Sequence, residues 1–380
     1  MECPSKLPHI GTTIFTVMSQ MAHAYKAINL AQGFPNFPPH PQLLEAASAA
    51  MNRGLNQYAP MAGYMPLRER IAEKIDSTYG RSINPDTEIT VTPGATAALF
   101  AAMMSVVHHG DEVIVIEPCY DSYIPTLTLC HAVIRRVSMR FPNYTIDWDA
   151  VEGNVSPRTR MITLNSPHNP SGSILCSEDI QRLIAIVQDT DIIILSDEVY
   201  EHITFEGIRH ESMLRYPQLA ERSFVVSSFG KTFHVTGWKT GYCVAPRELM
   251  QEFRKVYQFM NFSCFTPAQA AFAEMLSNPS HYKDLSAFYQ AKRDYFCHLM
   301  AGSRFELLPS YGSYFQLARY DAITHERDTD FAIRLTQNYG VAAIPVSAFY
   351  TDGTDNHVLR FCFAKTDETL EQAAAILTRL

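Results

Sequence analysis

One lysine stands out through the residues around it. Lys231 follows a predicted strand at 224–227 and lies in the segment Ser-Ser-Phe-Gly-Lys-Thr (227–232), among small and aromatic residues. Partial burial lowers the pKa of a lysine, and a neutral amine can attack a carbonyl group to form an imine. Because most lysines lie on the protein surface, a solvated side chain is the alternative interpretation.

Two more polar segments follow predicted strands. Asp197 comes directly after the apolar strand at 192–196, and a carboxylate buried there needs a cation or several hydrogen-bond donors. A protonated pyridine nitrogen would be such a cation. Asn169 lies in Asn-Ser-Pro-His-Asn-Pro-Ser-Gly (165–172), where the prolines and glycine predict a rigid turn. The alternatives are a helix N-cap for Asp197 and ordinary turn chemistry around Asn169.

Two segments are suited to anions. Thr-Pro-Gly-Ala-Thr (92–96) lies between a predicted strand and an apolar helix, where small residues and the helix N-terminus favour a phosphate group. Arg360 lies in an apolar strand, and its guanidinium needs an anionic partner there, such as a carboxylate. An ordinary β–α turn and an intramolecular salt bridge are the alternatives.

Alternating strands and helices are predicted to position these segments. The apolar run 192–195 predicts a strand buried on both faces, and the alternation with helices predicts a largely parallel α/β sheet. Ligands bind at the carboxyl ends of the strands in such a sheet. The predicted strands are 88–92, 112–117, 133–139, 161–165, 192–196, 224–227 and 241–244. The predicted helices are 43–53, 66–78, 95–107, 178–188 and 246–260.

The two ends of the chain differ from this central pattern. Residues 1–44 are predicted to be irregular because prolines at 35, 38, 39 and 41 break helices. A turn cluster at 277–280 predicts a boundary, followed by a helix at 282–300, strands near 314–317 and 358–363, and a closing helix at 367–380. We therefore predict an N-terminal arm joined to the small domain (1–44), a large domain (45–277) and a smaller α+β domain (278–380).

Composition excludes several classes of protein. The 380 residues are 47% apolar and 18% charged, which allows a large core and excludes a disordered or collagen-like chain. The net charge of −8 argues against non-specific binding to nucleic acid. The eight cysteines form no C-x-x-C pair, so we expect no metal centre of that type and free thiols in the cytoplasm. The longest apolar run, 95–107, is too short to span a bilayer, and no secretory signal is visible.

Together, the order and spacing of these segments resemble class I aminotransferases of the aspartate aminotransferase fold. The resemblance rests on Asn169, Asp197, Tyr200, Lys231, Lys239 and Arg360. It extends over nearly the whole chain and is nearest to bacterial methionine aminotransferases, through the segments 11–15, 29–35 and 56–60. It implies the type I fold of pyridoxal 5′-phosphate enzymes, with a mostly parallel seven-stranded sheet in the large domain and a smaller α+β domain.

The resemblance also implies roles in a ping-pong transfer of an amine from an L-amino acid to a 2-oxo acid. Lys231 would form the aldimine with pyridoxal 5′-phosphate and then move the proton between substrate and cofactor. Asp197 would pair with the pyridinium nitrogen, so that the ring accepts electrons. Tyr200 and Asn169 would hydrogen-bond the phenolic oxygen of the ring.

Further residues would hold the phosphate and the ring. Gly94, Ala95 and Thr96 would offer donors to the phosphate, together with Ser228 and Lys239. Many relatives carry arginine at the position of Lys239, so the clamp here would be a point charge.

The ring and the substrate would be held by residues from distant segments. Tyr120 would stack on the ring. Arg360 would bind the substrate α-carboxylate, helped by Gly33 and Asn169. Tyr58 would reach the phosphate in the neighbouring subunit, which makes a homodimer the expected working unit.

The substrate side chain would meet an apolar and aromatic wall formed by Ile14, Phe15, Tyr64 and Phe265. Since no second arginine for a distal carboxylate is apparent, methionine or aromatic amino acids are favoured as donors. A kynurenine/glutamine transaminase and a β-lyase acting on cystathionine or cysteine conjugates are alternatives on the same fold. A non-catalytic regulator that binds the cofactor is disfavoured, because residues 1–44 are too short and proline-rich for a DNA-binding domain.

Overall fold

The computed structural model describes residues 3–380, and its largest element is a seven-stranded sheet. The strands are β1 (Ile28–Asn29), β2 (Ile89–Thr92), β3 (Glu112–Glu117), β4 (Val133–Ser138), β5 (Thr159–Asn165), β6 (Ile193–Asp197), β7 (Ser223–Ser228), β8 (Gly241–Val244), β9 (Glu306–Leu307), β10 (Phe315–Arg319), β11 (Val341–Ala342), β12 (Ile344–Pro345) and β13 (Val358–Cys362). The large sheet has the order β2-β8-β7-β6-β5-β3-β4, and only β8 runs antiparallel to its neighbours. The prediction of a mostly parallel seven-stranded sheet is confirmed.

Helices cover both faces of this sheet. They are α1 (Ile14–Ala24), α2 (Pro41–Asn52), α3 (Met65–Tyr79), α4 (Ala95–Val106), α5 (Tyr123–Leu129), α6 (Trp148–Gly153), α7 (Ser177–Val187), α8 (Pro217–Ala220), α9 (Phe229–Thr232), α10 (Arg247–Met260), α11 (Thr266–Leu276), α12 (Ser280–Lys283), α13 (Leu285–Leu299), α14 (Asp328–Arg334) and α15 (Asp367–Leu377). Ile194 belongs to the core shared with α2, α3, α7 and α11, whereas Ile193 and Leu195 belong to the core shared with α4, α5 and α10. Burial on both faces explains the continuous apolar run of β6.

The register of the large sheet aligns the polar segments. Asn165 lies opposite Asp197, and Ser228 lies opposite Gly241. Gly241 also lies opposite Thr92. Because β8 is antiparallel, its first residue and the carboxyl ends of the neighbouring strands share one edge of the sheet.

A third core joins the chain ends. The strands β12, β13, β10 and β9 form an antiparallel sheet, while β1 pairs in parallel with β11. Residues such as Met18 and Leu30 are buried in the same apolar cluster as Phe331 and Leu370. This packing agrees with an N-terminal segment that belongs to the C-terminal core, although the predicted boundaries at 44 and 277 stay a prediction.

The structure corrects two details of the prediction. Residues 1–44 are not irregular throughout, because α1 spans Ile14–Ala24 and the Thr13 side chain caps it by accepting from the Thr16 amide at 3.3 Å. The prolines lie after this helix, and Pro41 begins α2 instead of breaking it. The helix predicted at 282–300 is two helices, α12 and α13, separated at Asp284.

Within residues 3–380, no helix combines the length and the apolar character that crossing a bilayer requires.

Candidate active site

A cavity of about 650 Å³ opens at the edge where the polar segments meet. Most of the residues predicted for the site line it: Phe15, Gly33, Gly94, Ala95, Thr96, Tyr120, Asn169, Asp197, Tyr200, Ser228, Lys231, Lys239 and Arg360. These residues come from segments more than 300 positions apart in the chain. Their common location is a result of the parallel sheet and of the return of both chain ends to its carboxyl edge.

Lys231 lies on the short helix α9, directly after β7. Its Nζ donates to Tyr314 Oη at 2.8 Å and to the Gly33 carbonyl oxygen at 3.2 Å. Burial lowers the pKa of Lys231 to about 8, and the nearby Arg360 and Lys239 also lower it. An appreciable fraction of this amine is therefore neutral near pH 7 to 8, as nucleophilic attack requires.

Asp197 ends β6 and is almost completely buried. Its carboxylate accepts from Tyr123 Oη at 2.8 Å and from the Val199 amide at 3.3 Å. Burial nevertheless raises the pKa of Asp197 to about 6. No helix begins at Asp197, so the N-cap alternative does not account for it. The carboxylate faces the cavity without an ion-pair partner among residues 3–380.

Asn169 and Arg360 are joined by a hydrogen bond. One guanidinium nitrogen of Arg360 donates to Asn169 Oδ1 at 2.6 Å, and another donates to the Ala31 carbonyl oxygen at 2.9 Å. The third nitrogen, Nε, is buried and has no partner in the described chain. Since no carboxylate of residues 3–380 forms an ion pair with Arg360, the alternative of an intramolecular salt bridge is wrong.

The Arg360 guanidinium is also enclosed by aromatic rings. Its central carbon lies 3.8 Å from the ring centroid of Phe315 and 5.2 Å from that of Phe15. Burial lowers the pKa of Arg360 to about 10, which still leaves it charged at neutral pH. A buried cation in this state needs an anion from outside the chain.

The start of α4 forms a second anion-binding region. Gly94 has a φ of +78°, and the amides of Ala95 and Thr96 begin the helix. A Cβ at Gly94 would lie 3.2 Å from Lys239 Nζ, which shows how closely this lysine approaches the turn. Ser228 lines the same cavity. Amides at a helix N-terminus and a lysine ammonium together are suited to a phosphate.

Two tyrosines line the space between the phosphate-binding turn and Asp197. Tyr120 Oη lies 3.3 Å from Thr96 Oγ1. The ring of Tyr200 packs edge-on against Tyr314, and Lys231 Nζ lies 5.6 Å from the centroid of that Tyr200 ring. Burial raises the pKa of both Tyr120 and Tyr200, so their hydroxyls stay protonated.

Four of the predicted residues do not line the cavity. Tyr58 and Phe265 are 82% and 58% exposed. Tyr64 precedes α3 and packs against the large core, while Ile14 begins α1 and packs against the third core. In a single chain, only Phe15 of the predicted substrate wall reaches the cavity.

Sequence analysis missed several residues that contact the site. Tyr123 binds Asp197, Tyr314 binds Lys231, and Asp121 and Phe34 line the cavity. Tyr123 follows Tyr120 by three positions, and this spacing was an available signal that Tyr123 also reaches the site. Nothing near Tyr314 in the sequence marks it as a partner of a lysine 83 positions earlier.

The cavity fits pyridoxal 5′-phosphate in its donor set. A phosphate suits the turn at Gly94 and Lys239, while a protonated ring nitrogen supplies the cation that Asp197 lacks. An aldehyde suits a lysine whose pKa is lowered by burial. Arg360 Nε has no hydrogen-bond partner within the described chain, so it is available to donate to a carboxylate of the substrate.

Comparison with known proteins identifies the family. Residues 25–377 match the family described as aminotransferase class I and II. The chain is 47% identical to a methionine aminotransferase of Escherichia coli, over 99% of this chain and 98% of that protein. A solved structure from E. coli, reported with a methionine aminotransferase function, covers 100% of both chains with a TM-score of 0.98 and 47% identity.

Two more distant relatives support the same assignment. The structure of N-succinyldiaminopimelate aminotransferase from Mycobacterium tuberculosis matches with a TM-score of 0.95 and 36% identity, covering 100% of each chain. Kynurenine–oxoglutarate transaminase of Dictyostelium discoideum is 32% identical, over 99% of this chain and 96% of that protein. The chain therefore belongs to the class I and II aminotransferases, which are enzymes dependent on pyridoxal 5′-phosphate.

Proposed function

We propose that this aminotransferase takes the amine from methionine or an aromatic L-amino acid and passes it to a 2-oxo acid in a ping-pong reaction. The observation that carries the proposal is that one cavity holds both a lysine with a lowered pKa and a buried arginine that forms no ion pair with residues 3–380. The 47% identity to the E. coli methionine aminotransferase supports the choice of donor.

When bound, pyridoxal 5′-phosphate supplies an aldehyde that captures the substrate amine and a ring that accepts the electrons of the Cα–H bond. Asp197, buried at the cavity, would hold the ring nitrogen in its protonated form through an ion pair. Lys231 Nζ takes the Cα proton and returns it, because its lowered pKa makes the free amine available as a base. Tyr200 and Asn169, which line the cavity, would hold the ring by hydrogen bonds to its phenolic oxygen, and Tyr120 would pack against it.

Arg360 binds the α-carboxylate of every substrate. Its contacts with Asn169 and Ala31 fix the plane of the guanidinium, and the aromatic rings of Phe15 and Phe315 exclude water around it. Desolvation strengthens a charge-assisted contact of this kind. The Gly33 segment, which returns to the cavity edge beside Lys231, completes the carboxylate pocket.

The side-chain pocket favours uncharged donors. The cations that line the cavity in residues 3–380 are Lys231, Lys239 and Arg360, each with a role in the proposal above. Asp121 also lines it, and its negative charge repels the distal carboxylate of aspartate or glutamate. Phe15 and Phe34 offer apolar surface to a thioether or an aromatic ring.

The working unit is proposed to be a homodimer. Tyr58 packs edge-on against Phe262, and Phe259 and Phe265 are also largely exposed nearby in the chain. Large exposed aromatic side chains of this kind are typical of protein interfaces. In a dimer, Tyr58 would reach the phosphate of the partner's cavity, and Tyr64 and Phe265 would complete the substrate wall. Mass measured in solution tests this, and a monomer with full activity would contradict it.

A cytoplasmic location is proposed as well. All eight cysteines are free thiols, and six of them are buried or half-buried. Free thiols persist in a reducing compartment. Fractionation of cells that express the chain tests the location.

The decisive test has two arms. The purified protein should absorb visible light and, after reduction with borohydride, carry the cofactor on the peptide that contains Lys231. A protein that takes up no pyridoxal 5′-phosphate would end the proposal. A panel of amino acids compared by kcat/KM should rank methionine and aromatic donors above aspartate and glutamate.

The alternatives on the same fold have their own signatures. The kynurenine–oxoglutarate transaminase relatives, at 32% identity, make kynurenine and glutamine the second choice of donors. A β-lyase would release pyruvate and ammonia from cystathionine or a cysteine conjugate without a 2-oxo acid acceptor. Preference for kynurenine or glutamine, or release of pyruvate and ammonia, would replace the proposed donor. The proposed role of pyridoxal 5′-phosphate would be unaffected.

A further inference from the structure

Three distant segments of the chain meet at the amine of Lys231. Tyr314 Oη lies 2.8 Å from Lys231 Nζ and 2.6 Å from the Gly33 carbonyl oxygen, and Nζ lies 3.2 Å from that same oxygen. The three atoms therefore form a closed triangle of hydrogen bonds. Tyr314 is completely buried, so water does not compete for its hydroxyl.

The direction of these hydrogen bonds follows from the chemistry of the atoms. A carbonyl oxygen only accepts, so the Tyr314 hydroxyl proton goes to Gly33. The lone pairs of Tyr314 Oη are then free to accept a proton of the lysine amine. Burial raises the pKa of Tyr314 well above its usual range, so the hydroxyl keeps its proton throughout the working pH range.

We propose that Tyr314 is a positioning residue that holds the free amine of Lys231 beside the Gly33 carbonyl whenever that amine is not bonded to the cofactor. The inference rests on the proposed function, because an aminotransferase must release its lysine while the substrate amine occupies the cofactor. In that interval the lysine must stay within reach of the substrate Cα. A tyrosine directly before β10 and a glycine of the N-terminal segment provide the two acceptors that keep it there.

The packing at Gly33 explains why this arrangement is tight. A Cβ at position 33 would lie 2.8 Å from Cζ of Phe315, the residue after Tyr314. The absence of a side chain lets the carbonyl approach the tyrosine. The same β10 segment thus positions Tyr314 against Lys231 and Phe315 against Arg360.

The chain offers a matched control in Tyr289. This tyrosine is also completely buried, and its ring centroid lies 5.7 Å from that of Tyr314. Its hydroxyl has no hydrogen-bond partner in the described chain. Tyr289→Phe therefore removes a hydroxyl from the same aromatic cluster without changing a contact of Lys231.

The test measures the lysine directly. The full-length chain is freed of cofactor and shown to be folded by circular dichroism, and Lys231 is then acetylated with acetic anhydride at a series of pH values. Mass spectrometry of its peptide gives the pH midpoint of labelling. Loss of an acceptor destabilises the ammonium form, so Tyr314→Phe should lower this midpoint by about one pH unit. Tyr289→Phe should leave it unchanged.

Catalysis by the loaded enzyme provides the second measurement. Tyr314→Phe should lower kcat by about tenfold with little change in KM, since the substrate carboxylate contacts remain. The isotope effect on kcat with Cα-deuterated methionine should rise, because proton transfer becomes slower. Tyr289→Phe should match the unaltered enzyme in both.

The outcomes separate this inference from the proposed function. If borohydride fixes the cofactor on Lys231 but the two variants have the same labelling midpoint and the same kcat, the inference is wrong and the function stands. If borohydride fixes no cofactor on Lys231, the proposed function is wrong, and the inference about Tyr314 is wrong with it. Should Tyr314→Phe not fold, a crystal structure of the cofactor-free chain decides, since a distance from Nζ to Oη beyond about 3.5 Å would overturn the proposal.

Discussion

Two buried acidic residues four positions apart have opposite surroundings. Glu201 accepts from Lys74 Nζ at 2.5 Å and from Tyr242 Oη at 3.0 Å, and it also binds Tyr79 and Ser227. We call these five residues the Glu201 cluster. Within residues 3–380, the Asp197 carboxylate accepts hydrogen bonds from one tyrosine hydroxyl and one amide, and it faces the cavity. Both side chains are nearly inaccessible to solvent.

Their ionisation differs accordingly. Burial opposes the ionisation of Glu201, but the attraction of Lys74 and the hydrogen bonds outweigh it and hold the pKa of Glu201 well below its usual range. The same burial is not offset at Asp197, whose pKa rises to about 6. The comparison shows that a buried acidic residue does not by itself mark a functional site. A buried acidic residue without a cationic partner in the described chain does. The predictions below test this contrast in order of expected effect.

The largest effect is expected from Lys231→Ala. Removal of the lysine held beside Tyr314 and Gly33 should lower kcat by roughly 10³-fold or more, because both the nucleophile and the base are lost. The protein should stay folded, since the lost amine is desolvated without an ion-pair partner. Steady-state kinetics and thermal unfolding check this, and a variant that still transaminates would refute the assignment.

The paired lysine should behave in the opposite way. Lys74→Met leaves Glu201 buried without a cation, and the free energy of unfolding should fall by about 3–5 kcal/mol. The folded fraction should keep its kcat and KM. Urea denaturation measures the loss, and the double variant with Glu201→Gln should recover part of it. Reduced kcat at unchanged stability would show that the Glu201 cluster serves the reaction.

Arg360→Ala should act on binding. Loss of the buried guanidinium should raise KM for amino acids by orders of magnitude, since such contacts are worth about 2–5 kcal/mol. Uptake of pyridoxal 5′-phosphate should be unaffected, which a titration of the visible absorbance checks. An unchanged KM would mean that the α-carboxylate is bound elsewhere.

The pH dependence of stability distinguishes Asp197 directly. Its pKa of about 6 in the folded, cofactor-free chain exceeds the usual 3.8, so the folded state binds more protons than the unfolded one between these values. Stability therefore falls as pH rises from about 4 to 6, by up to about 3 kcal/mol.

Asp197→Asn removes this dependence because the amide does not ionise. The difference in unfolding free energy between the variant and the unaltered chain should grow in favour of the variant from pH 4 to 6 and stay level above. Denaturation at several pH values measures it. A constant difference across this range would show that Asp197 titrates normally.

The smallest effect is expected from Asp121→Asn. Loss of one negative charge at the cavity should raise kcat/KM for glutamate relative to methionine by about tenfold. Competition between the two donors measures this ratio. If the unaltered enzyme used glutamate and methionine equally well, repulsion of glutamate by Asp121 would be contradicted.

The large sheet was predictable because its strands carry a local signal. Continuous apolar runs mark strands buried on both faces, and β6 and β3 lie within one residue of their predicted bounds. The helix α1 was missed although Thr13 caps it, because it has no acidic first turn and no glycine stop. Its short apolar stripe is stabilised by packing against the third core. The break at Asp284 likewise depends on how two helices pack.

The segment Asp-Glu-Val-Tyr-Glu (197–201) shows where local sequence ends and packing begins. Its residue types, and those around Lys231 and Arg360, already indicated the chemistry of an imine-forming enzyme and the edge of the sheet where it lies. Only the folded chain decided that Glu201 is neutralised by Lys74 while Asp197 is not, and that Tyr314 holds Lys231. These partners lie from 83 to 127 positions away. Desolvation and ion pairing depend on which side chains meet in space, so two acidic residues four positions apart acquired pKa shifts in opposite directions.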